Sequence, residues 1–222
     1  MMNYKRLTLI MGHYGSGKTN IAVNLAYDLK KSYNNVAIAD LDIVNPYFRT
    51  KDSEEIFRND GIRLICSDYA NSNVDIPAMP SDIYSLTDDK DLKAIIDVGG
   101  DDRGALAVGR LSNAIKNENN YEMLFVINTF RPLTRDTKGL LEVLGEIEVA
   151  AGLKFTGLIN NSNLGPITTK EDVTNSVKKA QELSKITGLP LVLTTVKEEL
   201  YKDLKGEIEN LFPLKLQKNI LI

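Results

Sequence analysis

The chain has 222 residues, 43% hydrophobic and 26% charged, with a formal net charge of −3. That composition is ordinary for a globular chain, and the slight acidic excess lacks the clustered cations that nucleic-acid binding needs. A single cysteine, Cys66, and a single histidine, His13, exclude an internal disulfide, a CxxC metal site and a His-rich zinc centre.

The length suits one domain over residues 1–222. The opening residues Met1–Arg6 carry no apolar signal segment, and no run of about eighteen apolar residues could span a membrane. A cytoplasmic location is expected. The first apolar run, Leu7–Met11, reads as a buried strand. It leads into Gly12–Thr19, GHYGSGKT, which fits the spacing of a P-loop. In such a loop Gly12, Gly15 and Gly17 allow the tight turn. The backbone N–H groups from His13 and Tyr14 through Ser16 to Asn20 can then face phosphate oxygens. Lys18 would reach the β- and γ-phosphates, and the Thr19 hydroxyl would bind Mg²⁺. Ile21, Leu25 and Leu29, with Ala22 and Ala26 beside them, predict a helix whose N-terminal dipole adds to an anion site.

Apolar runs at Val36–Ala39, Ile62–Ile65, Ala94–Val98, Met123–Ile127, Phe155–Ile159 and Leu191–Val196 read as further strands. Helical patterns fall between most of them. The clearest is Glu171–Ile186, with a Thr168/Glu171 capping-box spacing before it and Gly188 and Pro190 after it. Another runs over Thr137–Ala151. This alternation predicts an α/β three-layer P-loop NTPase fold, with a mostly parallel sheet of about seven strands and helices on both faces. Ser67–Ser81 is rich in Asn, Asp, Ser and Pro, and suits either a functional loop or a plain connector. The tail from Phe212 to Ile222 alternates like a strand and is expected to pack on the domain rather than anchor it to a membrane.

Carboxylates stand where strands end, the side on which open α/β sheets bind ligands. Asp40 and Asp42 follow Val36–Ala39. Asp97 ends Ala94-Ile95-Ile96 as a Walker B acid does, placed to hold Mg²⁺, and Gly99 and Gly100 after it allow close approach to a γ-phosphate.

The order P-loop, Asp-x-Asp, Asp-x-Gly-Gly resembles the MinD/ParA/CobQ/CobB nucleotide-binding family over most of the chain. The resemblance implies switch regions at Asp40–Arg49 and Asp97–Arg103. Asp40 would support the Mg²⁺ shell and Asp42 would orient the hydrolytic water. Asn128–Asp136 resembles the loop that follows a central strand in MinD-like proteins. The strand ending in Asn160-Asn161-Ser162-Asn163 lacks the acid that guanine readers present. The resemblance therefore favours ATP with Asn160 at adenine, although the same run suits a plain turn. Many relatives carry a second P-loop lysine that reaches across an ATP-bound dimer. His13 stands in its place here, which leaves a nucleotide-dependent homodimer open. Arg49 or Arg103 would be the alternative cross-subunit cations. The expected function is a Mg²⁺-dependent ATPase that binds ATP and ADP and switches a protein partner. The alternative is an ATP-dependent small-molecule ligase resembling dethiobiotin synthetase or the CobB/CobQ amidases.

Overall fold

The computed structural model describes residues 4–42, 51–66, 81–100, 102–131 and 137–215, with 51–54, 81, 102 and 103 described by backbone only. Strands β1 (Leu7–Met11), β2 (Val36–Leu41), β3 (Ile62–Ile65), β4 (Lys93–Val98), β5 (Tyr121–Ile127), β6 (Gly157–Asn160), β7 (Leu191–Lys197) and β8 (Leu211–Leu214) form one sheet. Its order is β3-β2-β4-β1-β5-β6-β7-β8, and every pairing is parallel. The helices are α1 (Lys18–Lys30), α2 (Lys51–Asn59), α3 (Ser85–Asp88), α4 (Asp102–Gly109), α5 (Ser112–Glu118), α6 (Thr137–Ala151), α7 (Lys170–Thr187) and α8 (Glu198–Leu204).

Period-two alternation along the strands divides the core between the two faces. Leu7, Leu9 and Met11 of β1, Ala94 and Ile96 of β4, and Met123 and Phe125 of β5 pack with residues of α4, α5 and α6. Ile10, Ile95, Leu124 and Val126 point the other way and pack on Ile21, Leu25 and Leu29 of α1. The predicted apolar stripe of α1 is thus its buried face. Parallel strands covered on both sides become continuous hydrophobic runs, which is why β1 is buried at all five positions.

Two expectations need correction. The sheet has eight strands rather than seven, because part of the apolar tail, Leu211–Leu214, adds at the edge beside β7. Pro213 is tolerated there because an edge strand has one side free of ladder bonds. The capping box of α7 lies one residue later than the spacing suggested. Thr169 accepts from Asp172 N, and the Asp172 side chain accepts from Thr169 N. The Thr168 hydroxyl is occupied in the preceding turn, where it donates to Gly165 O and accepts from Leu164 N. Gly188 ends the helix in the left-handed conformation, as expected.

At the N-terminal edge of the sheet, away from the P-loop, Arg6 is buried. It donates to the carbonyls of Leu86, Asp89 and Leu92 and pairs with Glu118.

Candidate nucleotide-binding site

Strand order puts β1 between β4 and β5, so the loop leaving its C-terminal end emerges at the middle of the sheet. Gly12, Gly15 and Gly17 all have positive φ, at 146°, 75° and 90°. Space is restrictive too: a Cβ on Gly12 would stand 2.7 Å from Val126 O, and one on Gly17 would stand 2.3 Å from Asn161 Nδ2. Gly17 precedes α1, and no side chain caps that helix end. Its first N–H groups and the positive end of its dipole therefore face the loop, an arrangement suited to a phosphate. Lys18 is buried, and its Nζ donates to His13 O at 3.3 Å. Ser16 N donates to the same carbonyl.

The acids converge from neighbouring strands. Asp40 and Asp97 are register partners on β2 and β4. Asp40 Oδ1 accepts from Asp42 N at 2.9 Å, which turns the chain at the end of β2. Asp97 is only 1% exposed, and among the described residues neither of its oxygens has a partner in normal hydrogen-bond geometry. Burial pushes its carboxyl up to about 7. The Asp40 charge and, less strongly, the Asp42 charge add to the rise, while the Thr19 hydroxyl and Lys18 oppose it. The Thr19 hydroxyl thus favours the ionised form without closing a full hydrogen bond.

Two orphaned, buried carboxylate oxygens beside two further acids and a hydroxyl suit a divalent cation. Thr19, Asp40 and Asp97 would hold Mg²⁺. Among the described residues no three His, Cys, Asp or Glu side chains cluster as a metal cage.

Gly100, three residues after Asp97, lies against the P-loop. A Cβ on Gly100 would lie 2.5 Å from Tyr14 N and 2.9 Å from Lys18 Nζ. Tyr14 N and Cα are backbone atoms and cannot rotate away, so Gly100→Ala must shift the turn or the P-loop. We expect it to lower nucleotide turnover by roughly 100-fold, the cost of about a 1 Å misplacement, with little loss of melting temperature. Steady-state phosphate release and thermal unfolding check this together.

Asn160 does not occupy the place expected of it. Strand β6 includes Asn160, whose side chain is fully buried. Its amide donates to Ser176 Oγ of α7 at 2.8 Å, and its Oδ1 accepts from Ser162 N. Its neighbour Asn161 faces the P-loop instead. Asn161 Nδ2 donates to Ser16 O at 2.7 Å, and its Oδ1 accepts from the Thr195 hydroxyl at 2.7 Å. Asn161 also lines a cavity of about 50 Å³ with Asn163, Thr168, Thr195, Lys197 and Leu214. Alternation explains the exchange: the strand ends one residue later than expected, at Asn160, and successive side chains point to opposite sides.

Asn161 and Thr195 were not singled out from the sequence. Their only local signal is polarity at the end of an apolar strand. Arg131 was also missed. It leaves the turn after β5, and its Nε donates to Gly15 O at 3.0 Å. His13 Nδ1 lies 2.9 Å from Tyr14 O, so its ring is tied to its own loop. Arg49, residues 43–48, the 67–80 loop, residues 132–136 and the tail after 215 lie outside the described residues, as does the Arg103 side chain.

The fold has clear relatives among solved structures. FtsY from Mycoplasma mycoides is 20% identical with a TM-score of 0.57, covering 89% of this chain and 62% of that one. Chloroplast FtsY from Physcomitrella patens is 20% identical with a TM-score of 0.57, covering 89% and 60%. Cell division protein FtsY from Thermotoga maritima is 21% identical with a TM-score of 0.56, covering 86% and 62%. The chain thus spans about three fifths of those proteins, and at this identity the likeness concerns the fold. No curated protein sequence matches at a significant level. The family model described as the CobQ/CobB/MinD/ParA nucleotide-binding domain matches residues 7–217. With that match running from the first residue of β1 to beyond β8, the chain belongs to the CobQ/CobB/MinD/ParA nucleotide-binding family.

Proposed function

We propose that the chain is a cytoplasmic Mg²⁺-dependent ATPase that acts as a nucleotide-driven switch on a protein partner. The observation that carries this reading is Asp97, a buried carboxylate with two unsatisfied oxygens beside Thr19, Lys18, Asp40 and Asp42. A cation and a phosphate would satisfy that cluster. Lys18 would hold the β- and γ-phosphates and Asp42 would orient the attacking water, while Thr19, Asp40 and Asp97 would hold a Mg²⁺ whose chemistry is charge neutralisation. Loops that contact the terminal phosphate would be ordered by ATP and released after hydrolysis. The described residues lining the cavity beside Asn161 include no Asp or Glu. Guanine recognition calls for an acceptor pair at N1 and N2, so the lining favours adenine. Asn161 takes the base-side role first assigned to Asn160.

Phosphate release from Mg²⁺-ATP and Mg²⁺-GTP tests the reading. ATP is the expected substrate, and Lys18→Ala should lower turnover by about 10²–10³-fold. Unchanged turnover in Lys18→Ala, or turnover confined to GTP, rejects it. A second reading, a small-molecule ligase, is favoured by the His13 ring being folded onto its own loop, where it supplies no cation to a second subunit. Light scattering separates the two. A mass that doubles only with Mg²⁺ and a non-hydrolysable ATP analogue supports the switch, and an unchanged mass with nucleotide bound moves the weight toward the ligase or a partner-dependent ATPase.

A further inference from the structure

Arg131 is built into the rim of the phosphate site. Strand β5 delivers it there as the neighbour of β1, and Val126 of β5 already packs against Gly12. The turn that carries it is anchored at three points. Phe130 N donates to Asn128 Oδ1, Arg131 N donates to Asn128 O, and the buried Thr129 donates through both N and Oγ1 to Ser162 Oγ. The guanidinium lies on the P-loop, with its Cζ 3.5 Å from the position of a Cβ on Gly15. Only Nε is engaged, on Gly15 O, in the hydrogen bonds formed with described residues. The side chain as a whole is exposed, and its outer N–H groups make no hydrogen bond among the described residues.

The flanks of the P-loop show which end of a nucleotide this cation serves. Ser16 and Gly17 meet Asn161, on the side of the base cavity. Tyr14 and Lys18 Nζ meet Gly100, on the side of the terminal phosphate. Gly15 lies between them, next to Tyr14, within the sweep of a long arginine side chain. A triphosphate carries more negative charge than one Mg²⁺ and one lysine neutralise. A planar guanidinium with paired donors suits the remainder.

We propose that Arg131 is a catalytic residue of the nucleotide site: it leaves Gly15 O when a triphosphate binds and clasps the terminal phosphate from within the same chain. This rests on the nucleotide-binding reading and extends it, since it locates the discrimination between triphosphate and diphosphate. It also identifies a cation supplied in cis rather than by a second subunit.

Titration calorimetry on the full chain tests it, with Mg²⁺-ADP and a non-hydrolysable Mg²⁺-ATP analogue as ligands and the guanine counterparts alongside. Arg131→Ala should weaken the triphosphate analogue by about 10–100-fold, the range of a charge-assisted hydrogen bond, and leave the diphosphate within about 2-fold. Arg131→Lys should recover part of the loss. Equal weakening of both ligands would reduce Arg131 to a support for the Gly15 peptide and overturn the proposal, as would no change in either. A wild type that binds no nucleotide overturns both this proposal and the reading beneath it. A wild type that binds without releasing phosphate, yet shows the split between ligands in Arg131→Ala, removes hydrolysis alone and upholds the clasp.

Discussion

Asp97→Asn is expected to stabilise the nucleotide-free protein while removing Mg²⁺-dependent turnover. The carboxylate is buried, its oxygens are unsatisfied, and two further acids face it. Asparagine keeps the shape and discards the charge, which should raise stability by about 1 kcal/mol or more, or roughly 2–4 °C for a chain of this size. The gain depends on pH in a defined direction. The folded group titrates near 7 rather than at its ordinary 3.8. The folded state therefore holds a proton that the unfolded state has lost across that window, and wild-type stability falls as pH rises through it. The advantage of the variant should be complete above pH 7 and vanish towards pH 4. Turnover should fall by about 10²–10³-fold, because a neutral amide cannot hold the cation against the phosphates. Thermal unfolding at pH 8 and pH 5, with phosphate release on the same samples, decides it. An unchanged melting temperature together with unchanged turnover would show that Asp97 is not the Mg²⁺ acid.

Arg6→Ala should have the largest effect on stability and act at the opposite edge of the sheet. One guanidinium serves three carbonyls, of Leu86, Asp89 and Leu92, and pairs with Glu118. It thereby ties the start of β1 to α3, to the turn before β4 and to α5. Alanine leaves those carbonyls without their donor and Glu118 without its main partner. Breaking a buried pair of this kind costs about 3–5 kcal/mol, which corresponds to a fall in melting temperature of roughly 6–20 °C. The same pair makes the fold acid-sensitive. Hydrogen bonding from Arg6, reinforced by Lys90, holds the Glu118 carboxyl below its ordinary 4.5. Its contribution is complete above that value and is lost as pH falls through the lowered one. Wild type should therefore lose stability on acidification below about pH 4.5 more steeply than Arg6→Ala, as denaturant melts over pH 3–6 would show. Parallel curves would remove the pair from the account.

Much of this architecture was legible because parallel strands advertise themselves. Leu7–Met11 and Ile62–Ile65 have the bounds that their apolar runs suggested, and Thr137–Ala151 is a helix over the expected span. The misses share one cause, a register or contact set by residues distant in sequence. Asn160 and Asn161 are indistinguishable locally. A strand that ends one residue later decides which meets Ser176 and which meets Ser16. Thr168 and Thr169 both offer a capping hydroxyl, and the turn at Gly165 claims the first. The strand-like alternation of the tail was visible from Phe212, but its place beside β7, where Pro213 is accepted at an edge, was not. Arg131 lies 116 residues from Gly15, so no spacing rule could pair them.

The Asn161 amide has a mechanical consequence. By gripping Ser16 O with one end and the Thr195 hydroxyl with the other, it welds the P-loop to the wall of the cavity proposed for the base. The two halves of the site then keep a fixed separation, like the marks on a ruler. A nucleotide of matching length engages both halves for one loss of translational freedom, whereas a free nucleoside and free triphosphate must each bear that loss separately.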